Sequence, residues 1–187
     1  MKKSLFILLI SLCSCNKNYS TEPTVDFEDY YYKEIGKGEY SIKKLEGIDI
    51  SQLKEIDKDD PVSINQKKYN EAKHYYYNII DTSKINSVVY FYFNEGKEKS
   101  FVLENYTKDN QFISEIVIST ISGDGGYFSN SEGEFINDST IIREDKSGYY
   151  KMMKDSNAEI EDSIIESYNK LKILIRTDGI VMVDTIK

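Results

Sequence analysis

From Val88 onward short apolar runs alternate with turn residues, the pattern of successive β-strands rather than of helices. VVYFYF (88–93) is β-branched and aromatic throughout, which predicts a buried strand. Asn94-Glu95-Gly96-Lys97 predicts a turn into KSFVLENY, and Lys108-Asp109-Asn110 a turn into QFISEIVIST. ISGDGG and Ser131-Glu132-Gly133 read as loops, the second followed by EFINDSTIIRED, and Lys146-Ser147-Gly148 leads into a strand YYKMM. The last unit is the most regular. In KLKILIRTDGIVMVDTI, Leu171, Ile173 and Ile175 alternate with Lys170, Lys172 and Arg176, and Asp178-Gly179 supplies a hairpin turn. EIEDSIIESY (159–168) fits two patterns: Ile160, Ile164 and Tyr168 share one helical face, or the segment starts the long strand, which is the preferred reading.

Upstream the pattern is mixed. GEYSIKKLEGIDI contains a short strand around Glu39–Leu45. IDKDDPV is a turn, because Pro61 forces Asp60 out of the helical region. Ser63 followed by Gln66 makes a capping box, and Tyr69, Ala72 and Tyr76 fall at helical spacing, which predicts a short helix over about residues 64–73. The whole reads as a mainly β fold, α+β at most. It is an antiparallel meander sheet, curved or barrel- or sandwich-like, with one short N-terminal helix. One β-rich domain spans 30–187, behind a leader at 1–14 and a polar tether at 15–29.

That leader changes the picture. Leu5 to Leu12 is apolar behind Met1-Lys2-Lys3, far short of the roughly 20 residues a membrane-spanning helix needs, and it has the layout of an export signal. Leu12-Cys13-Ser14-Cys15 resembles the lipobox of bacterial lipoproteins, with an aliphatic residue three before the modified cysteine and a small one just before it. Cys15 fits that frame; Cys13 does not. The resemblance implies cleavage after Ser14 and acylation of Cys15, with several chains at ~0.8 kcal/mol per buried methylene holding the protein on the membrane. A redox or zinc role for the C-x-C pair lacks ligands, since the rest of the chain has no cysteine and one histidine. Asn16-Lys17 carries no aspartate of the inner-membrane retention type, and the first acidic knot, Asp26-Phe27-Glu28-Asp29, lies well downstream. The expected location is the outer membrane, on its periplasmic face.

Charge narrows the partners. The formal charge is −8, and loss of Lys2 and Lys3 with the leader takes it to −10. Affinity for nucleic acid comes mainly from Lys and Arg displacing counterions, so this chain is no nucleic-acid binder. Arg143 and Arg176 are the only arginines. An acidic surface suits a basic protein partner and speeds encounter with it, besides keeping the domain soluble.

Few residues offer chemistry. His74 is the only candidate base, and it sits at the predicted helix end in Lys73-His74-Tyr75-Tyr76-Tyr77 without a nucleophile elbow anywhere, so a surface histidine near a helix C-terminus is the plainer reading. No carboxylate pair stands out among 32 acidic residues. Asp57-Lys58-Asp59-Asp60 lacks the central glycine and closing glutamate of a calcium loop, and Gly123-Asp124-Gly125-Gly126 lacks the helix and Lys-Ser/Thr of a P-loop. No catalytic residue, metal site or cofactor is expected. What remains is tyrosine. Tyr30-Tyr31-Tyr32, Tyr75-Tyr76-Tyr77, Tyr90/Tyr92 and Tyr149-Tyr150 are dense, and consecutive rings on a strand point to opposite faces. Most serve packing; those left outside form the candidate binding surface.

The strand-rich second half, from VVYFYF to YNKLKILIRTDGIVMV, is similar to a loose group of small bacteroidete lipoproteins of unknown function. In these a leader and short helix precede long strands ending in a hairpin with Asp-Gly or Gly-Lys at its tip. The resemblance covers roughly residues 75–187 and implies the fold alone. The expected function is therefore a lipid-anchored, non-catalytic envelope protein that binds or inhibits a protein partner, as an immunity factor does. The alternative is a glycan- or ligand-binding accessory of an outer-membrane uptake complex, and an enzyme ranks last.

Overall fold

The structure, a computed structural model, describes residues 38–57, 72–81, 83–152 and 159–186. Eight strands follow in chain order: β1 (Lys73–Asp81), β2 (Asn86–Asn94), β3 (Glu98–Tyr106), β4 (Phe112–Asp124), β5 (Tyr127–Asn137), β6 (Thr140–Met152), β7 (Glu159–Ile175) and β8 (Val181–Thr185). Each pairs antiparallel with the next in one sheet, and β1 and β8 remain its two edges. The fold is thus the expected mainly β meander, unclosed. Among the described residues no helix is long and apolar enough to cross a membrane.

The only helix among the described residues, α1 (Ile42–Glu46), stands where Glu39–Leu45 predicts a strand. Local capping decides it. The Ser41 side chain accepts from the Lys44 amide at 3.2 Å, and the Gly47 amide donates to the Lys43 carbonyl, so both ends are satisfied without a neighbouring strand. Leu45 is then buried against the sheet. A 3-10 turn (Ile50–Gln52) follows, with Asp49 accepting from the Ser51 amide. The helix predicted over 64–73 lies outside the described residues except at its end, where Lys73 opens β1.

Alternation along β2 and β3 sends residues to both sides of the sheet, and both sides are buried. Val89, Phe91, Phe101 and Leu103 join Tyr75 and Tyr77 of β1, with Tyr40 and Leu45 packed over them. Val88, Tyr90, Tyr92, Val102 and Tyr106 form a second cluster with Tyr76 and Ile56. The first cluster also contains Ile141 of β6 and Ile173 and Ile175 of β7, several strands away in sheet order. The sheet must therefore curl over this core, as a twisted and bulged sheet does. A bulge between Phe101 and Val102 sits in the β3–β4 pairing, and the β7–β8 turn returns to β3–β4, where Asn105 and Ser114 both donate to the Gly179 carbonyl at 3.1 and 2.5 Å.

Two segments read as loops are largely strand, and a third, read as the lead into a strand, lies within one. β4 continues through ISGD to a tight turn at Gly125-Gly126, both at positive φ. Ser131-Glu132-Gly133 lies inside β5, and Lys146-Ser147-Gly148 inside β6. A Cβ at Gly133 would overlap the Ile118 carbonyl, and one at Gly148 the Ile164 carbonyl. These glycines allow two backbones to approach closely rather than to turn. EIEDSIIESY is strand, the start of the long β7.

Candidate functional site

The expected binding surface divides three ways. Tyr30, Tyr31, Tyr32 and the lipidation residue Cys15 lie outside the described residues. Tyr75, Tyr76 and Tyr77 are no surface: at 5%, 3% and 2% exposure they are core. The reason is that β1 has packing on both of its faces, so rings pointing either way are covered. The Tyr77 hydroxyl donates to Glu39 at 2.7 Å, and burial with that carboxylate beside it pushes its phenol above the ordinary value. Buried Tyr40 accepts from Asn78 at 2.7 Å and is likewise pushed up by burial.

His74 is also corrected, from a helix surface to a buried strand position. Its ring sits 5.4 Å from that of Tyr90 and 5.5 Å from that of Tyr92, and its Nε2 has no hydrogen-bond partner. Desolvation lowers its pKa to about 4. It is a neutral packing residue at neutral pH.

Tyr149 and Tyr150 lie elsewhere, on the half of β5–β7 that extends past the core. Tyr127, Tyr149 and Ile164 stand directly opposite one another across β5, β6 and β7, so their side chains project to the same side. All three are exposed, at 37%, 47% and 53%, and the two rings meet edge-on with centroids 5.2 Å apart. On the opposite side Phe128, Gly148 and Ile165 form the next row. Phe128 packs at 5.0 Å against half-buried Tyr150, while Ile165 is exposed. Tyr168 is exposed too, with the Lys146 ammonium 5.7 Å above its ring.

Tyr127, Ile164, Ile165 and Tyr168 escaped sequence reasoning. Tyr127 follows a segment read as a loop, and the other three fall in EIEDSIIESY, which fits helix and strand alike. Only the register places Ile164 beside Tyr149.

Among the described residues the edge of this ribbon is open. β8 pairs with β7 only from Leu171 to Ile175, and the Ile186 amide adds one bond to the Lys170 carbonyl. Among the described residues no strand borders the outer side of β7 from 159 to 169. That stretch, EIEDSIIESYN, holds four acidic residues and no basic one. The opposite edge of the sheet is treated differently: β1 is bordered by residues 54–56, with the Ile56 amide donating to the His74 carbonyl and the Tyr76 amide to the Lys54 carbonyl. Just inside the open edge, Glu144 bridges Lys170 at 3.0 Å and Lys146 at 3.4 Å, and its carboxyl is held below the usual range by the hydrogen bond from Lys170.

Of the concave features, a cleft of about 280 Å³ lies between Glu46 and the β2–β3 turn, lined by Phe93, Lys97, Lys99 and Ile121. Among the described residues no three His, Cys, Asp or Glu side chains converge as metal ligands do. No protein-family model, no curated protein and no solved structure matches the chain.

Proposed function

We propose that this chain is a lipid-anchored, non-catalytic protein of the cell envelope, held on the outer membrane through Cys15, that binds or inhibits a basic protein partner. The observation that carries the reading is the exposed Tyr127–Tyr149–Ile164 row on a ribbon whose outer strand is acidic. Exposed tyrosine combines contact area with a polar tip and recurs at binding hot spots. The burial of the sole histidine supports a non-catalytic role, since a general base must reach a substrate proton.

The test is capture by the chain immobilised in detergent, from envelope extracts and from secretions of neighbouring strains. A single basic protein held stoichiometrically and released by salt is the expected result. Capture that ignores salt, or no capture by a folded chain, argues against it. The anchor has its own test: Cys15→Ala should move the protein from the membrane fraction to the soluble one, and unchanged retention would refute lipidation.

A second reading, a glycan- or ligand-binding accessory of an uptake complex, draws on the cleft beside Phe93, whose volume falls just short of the roughly 300–1,000 Å³ of small-molecule sites. The Tyr127 and Tyr149 rings cross at 68° and so make no flat platform for a sugar.

A further inference from the structure

We infer, on the partner-binding reading above, that the outer edge of β7 between residues 159 and 169 is where the partner docks, by adding a basic, extended segment as the next strand of the sheet. Three observations meet there. β7 runs for 17 residues while β8 covers only its last part, so β7 presents main-chain amides and carbonyls that no strand among the described residues takes up. An open edge of this kind is a template for strand addition, and proteins ordinarily blunt it with charged side chains, lysine above all, with proline or with a covering segment. Here 159–169 contains neither lysine nor proline. Its only charges are acidic, so they repel a like-charged strand and admit a basic one. Ile164 also ends the apolar row that begins at Tyr127 and crosses Tyr149. A new strand would continue that row with its own apolar side chains, as cross-strand neighbours do.

Charge chooses the occupant. A second copy docking through the same edge would bring two strands of EIEDSIIESYN together, each with four acidic residues and no compensating base. Like charges set opposite one another in a ladder are destabilising. A strand carrying lysine or arginine brings opposite charge to that stretch instead, and its apolar side chains extend the row that ends at Ile164.

The experiment uses the full chain in zwitterionic detergent with three short blocked peptides: alternating lysine and valine, alternating glutamate and valine, and alternating lysine and proline. The third has the same charge as the first, but it keeps an amide N–H only on its lysines, and its prolines hold φ near about −65° and favour polyproline II over a strand. Hydrogen–deuterium exchange of the 159–169 amides and peptide affinity are read together. The lysine–valine peptide should slow exchange in 159–169 and bind at least about tenfold more tightly than either of the others. Glu166→Lys and Ile164→Lys, both at exposed positions, should each weaken it several-fold without altering the thermal midpoint. Equal binding of the lysine–proline peptide, or protection elsewhere, overturns strand addition but leaves a basic partner standing. Equal binding of the glutamate peptide overturns the basic occupant. Protection of 159–169 that grows with protein concentration and needs no peptide makes a second copy the occupant and overturns the inference. Failure of all three peptides overturns it as well. The broader reading then stands or falls on the captured protein: one bound equally by the parent chain and by Glu166→Lys docks elsewhere.

Discussion

His74 shows how one buried group ties stability to pH. Its imidazole lies against Tyr90 and Tyr92, with the Glu55 carboxylate as the only charge that favours protonation, and desolvation wins. The folded pKa of about 4 lies below the ordinary 6.5, so between those values the unfolded chain binds more protons than the folded one. Stability should therefore fall as pH drops from 6.5 toward 4 and gain no further slope from this group below that window. The full loss is on the order of 3 kcal/mol. His74→Phe keeps the aromatic volume and removes the proton site. Urea unfolding of both forms from pH 7 to 4 should give a difference curve with this slope, and a flat difference would show that the ring is solvated. Glu104 is a second buried polar group, with no exposure and accepting from the Tyr106 hydroxyl. Tyr106→Phe removes that donor and should cost about 1–3 kcal/mol at neutral pH, read as a lower unfolding midpoint.

At the scale of elements, the β6–β7 ribbon depends on close backbone approach. Gly148 faces Ile165, with a register shift in β7 at this point, and there is no room for a Cβ beneath the Ile164 carbonyl. Gly148→Ala should push the strands apart, destabilise the protein by at least ~1–3 kcal/mol and speed amide exchange in 159–168. Unchanged exchange there would mean that the ribbon tolerates the methyl group. The same strands explain why loops and strands were confused in the sequence. A glycine between polar residues marks a turn when the chain reverses and a close contact when another backbone crosses it. Gly125 is the first kind; Gly133 and Gly148 are the second. Nothing within a few residues separates the two cases, because the crossing backbone comes from elsewhere in the chain.

For the whole molecule, the curl of the sheet has a pin. Asn105 is fully buried, accepts from Ser87 at 2.7 Å and donates to Ser114 at 3.0 Å and to the Gly179 carbonyl at 3.1 Å. It thereby ties β3 to the tip of the β7–β8 hairpin, 74 residues further along. Asn105→Ala should cost about 2 kcal/mol or more, since it strips partners from buried polar atoms. Exchange in the β7–β8 turn should quicken before the rest of the sheet opens, and a uniform response would show that the pin carries no special load.

Most of the strands were legible without coordinates, because alternation and β-branched or aromatic side chains act over a few neighbours. VVYFYF, KSFVLENY and the hairpin around Asp178-Gly179 are such cases, and they carry the mainly β meander with them. The candidate site was not legible in the same way. Tyr75-Tyr76-Tyr77 and Tyr149-Tyr150 are equally tyrosine-rich, yet the first triplet is core and Tyr149 stands in the open. A strand's period of two says that neighbouring rings face opposite ways; it does not say what covers either face. That depends on which strands lie alongside and where the sheet curls, and these are contacts between residues far apart in the chain. Alternation, a local property, made the sheet; exposure, and an edge of β7 that no described strand borders, are decided by which strands pair and how far.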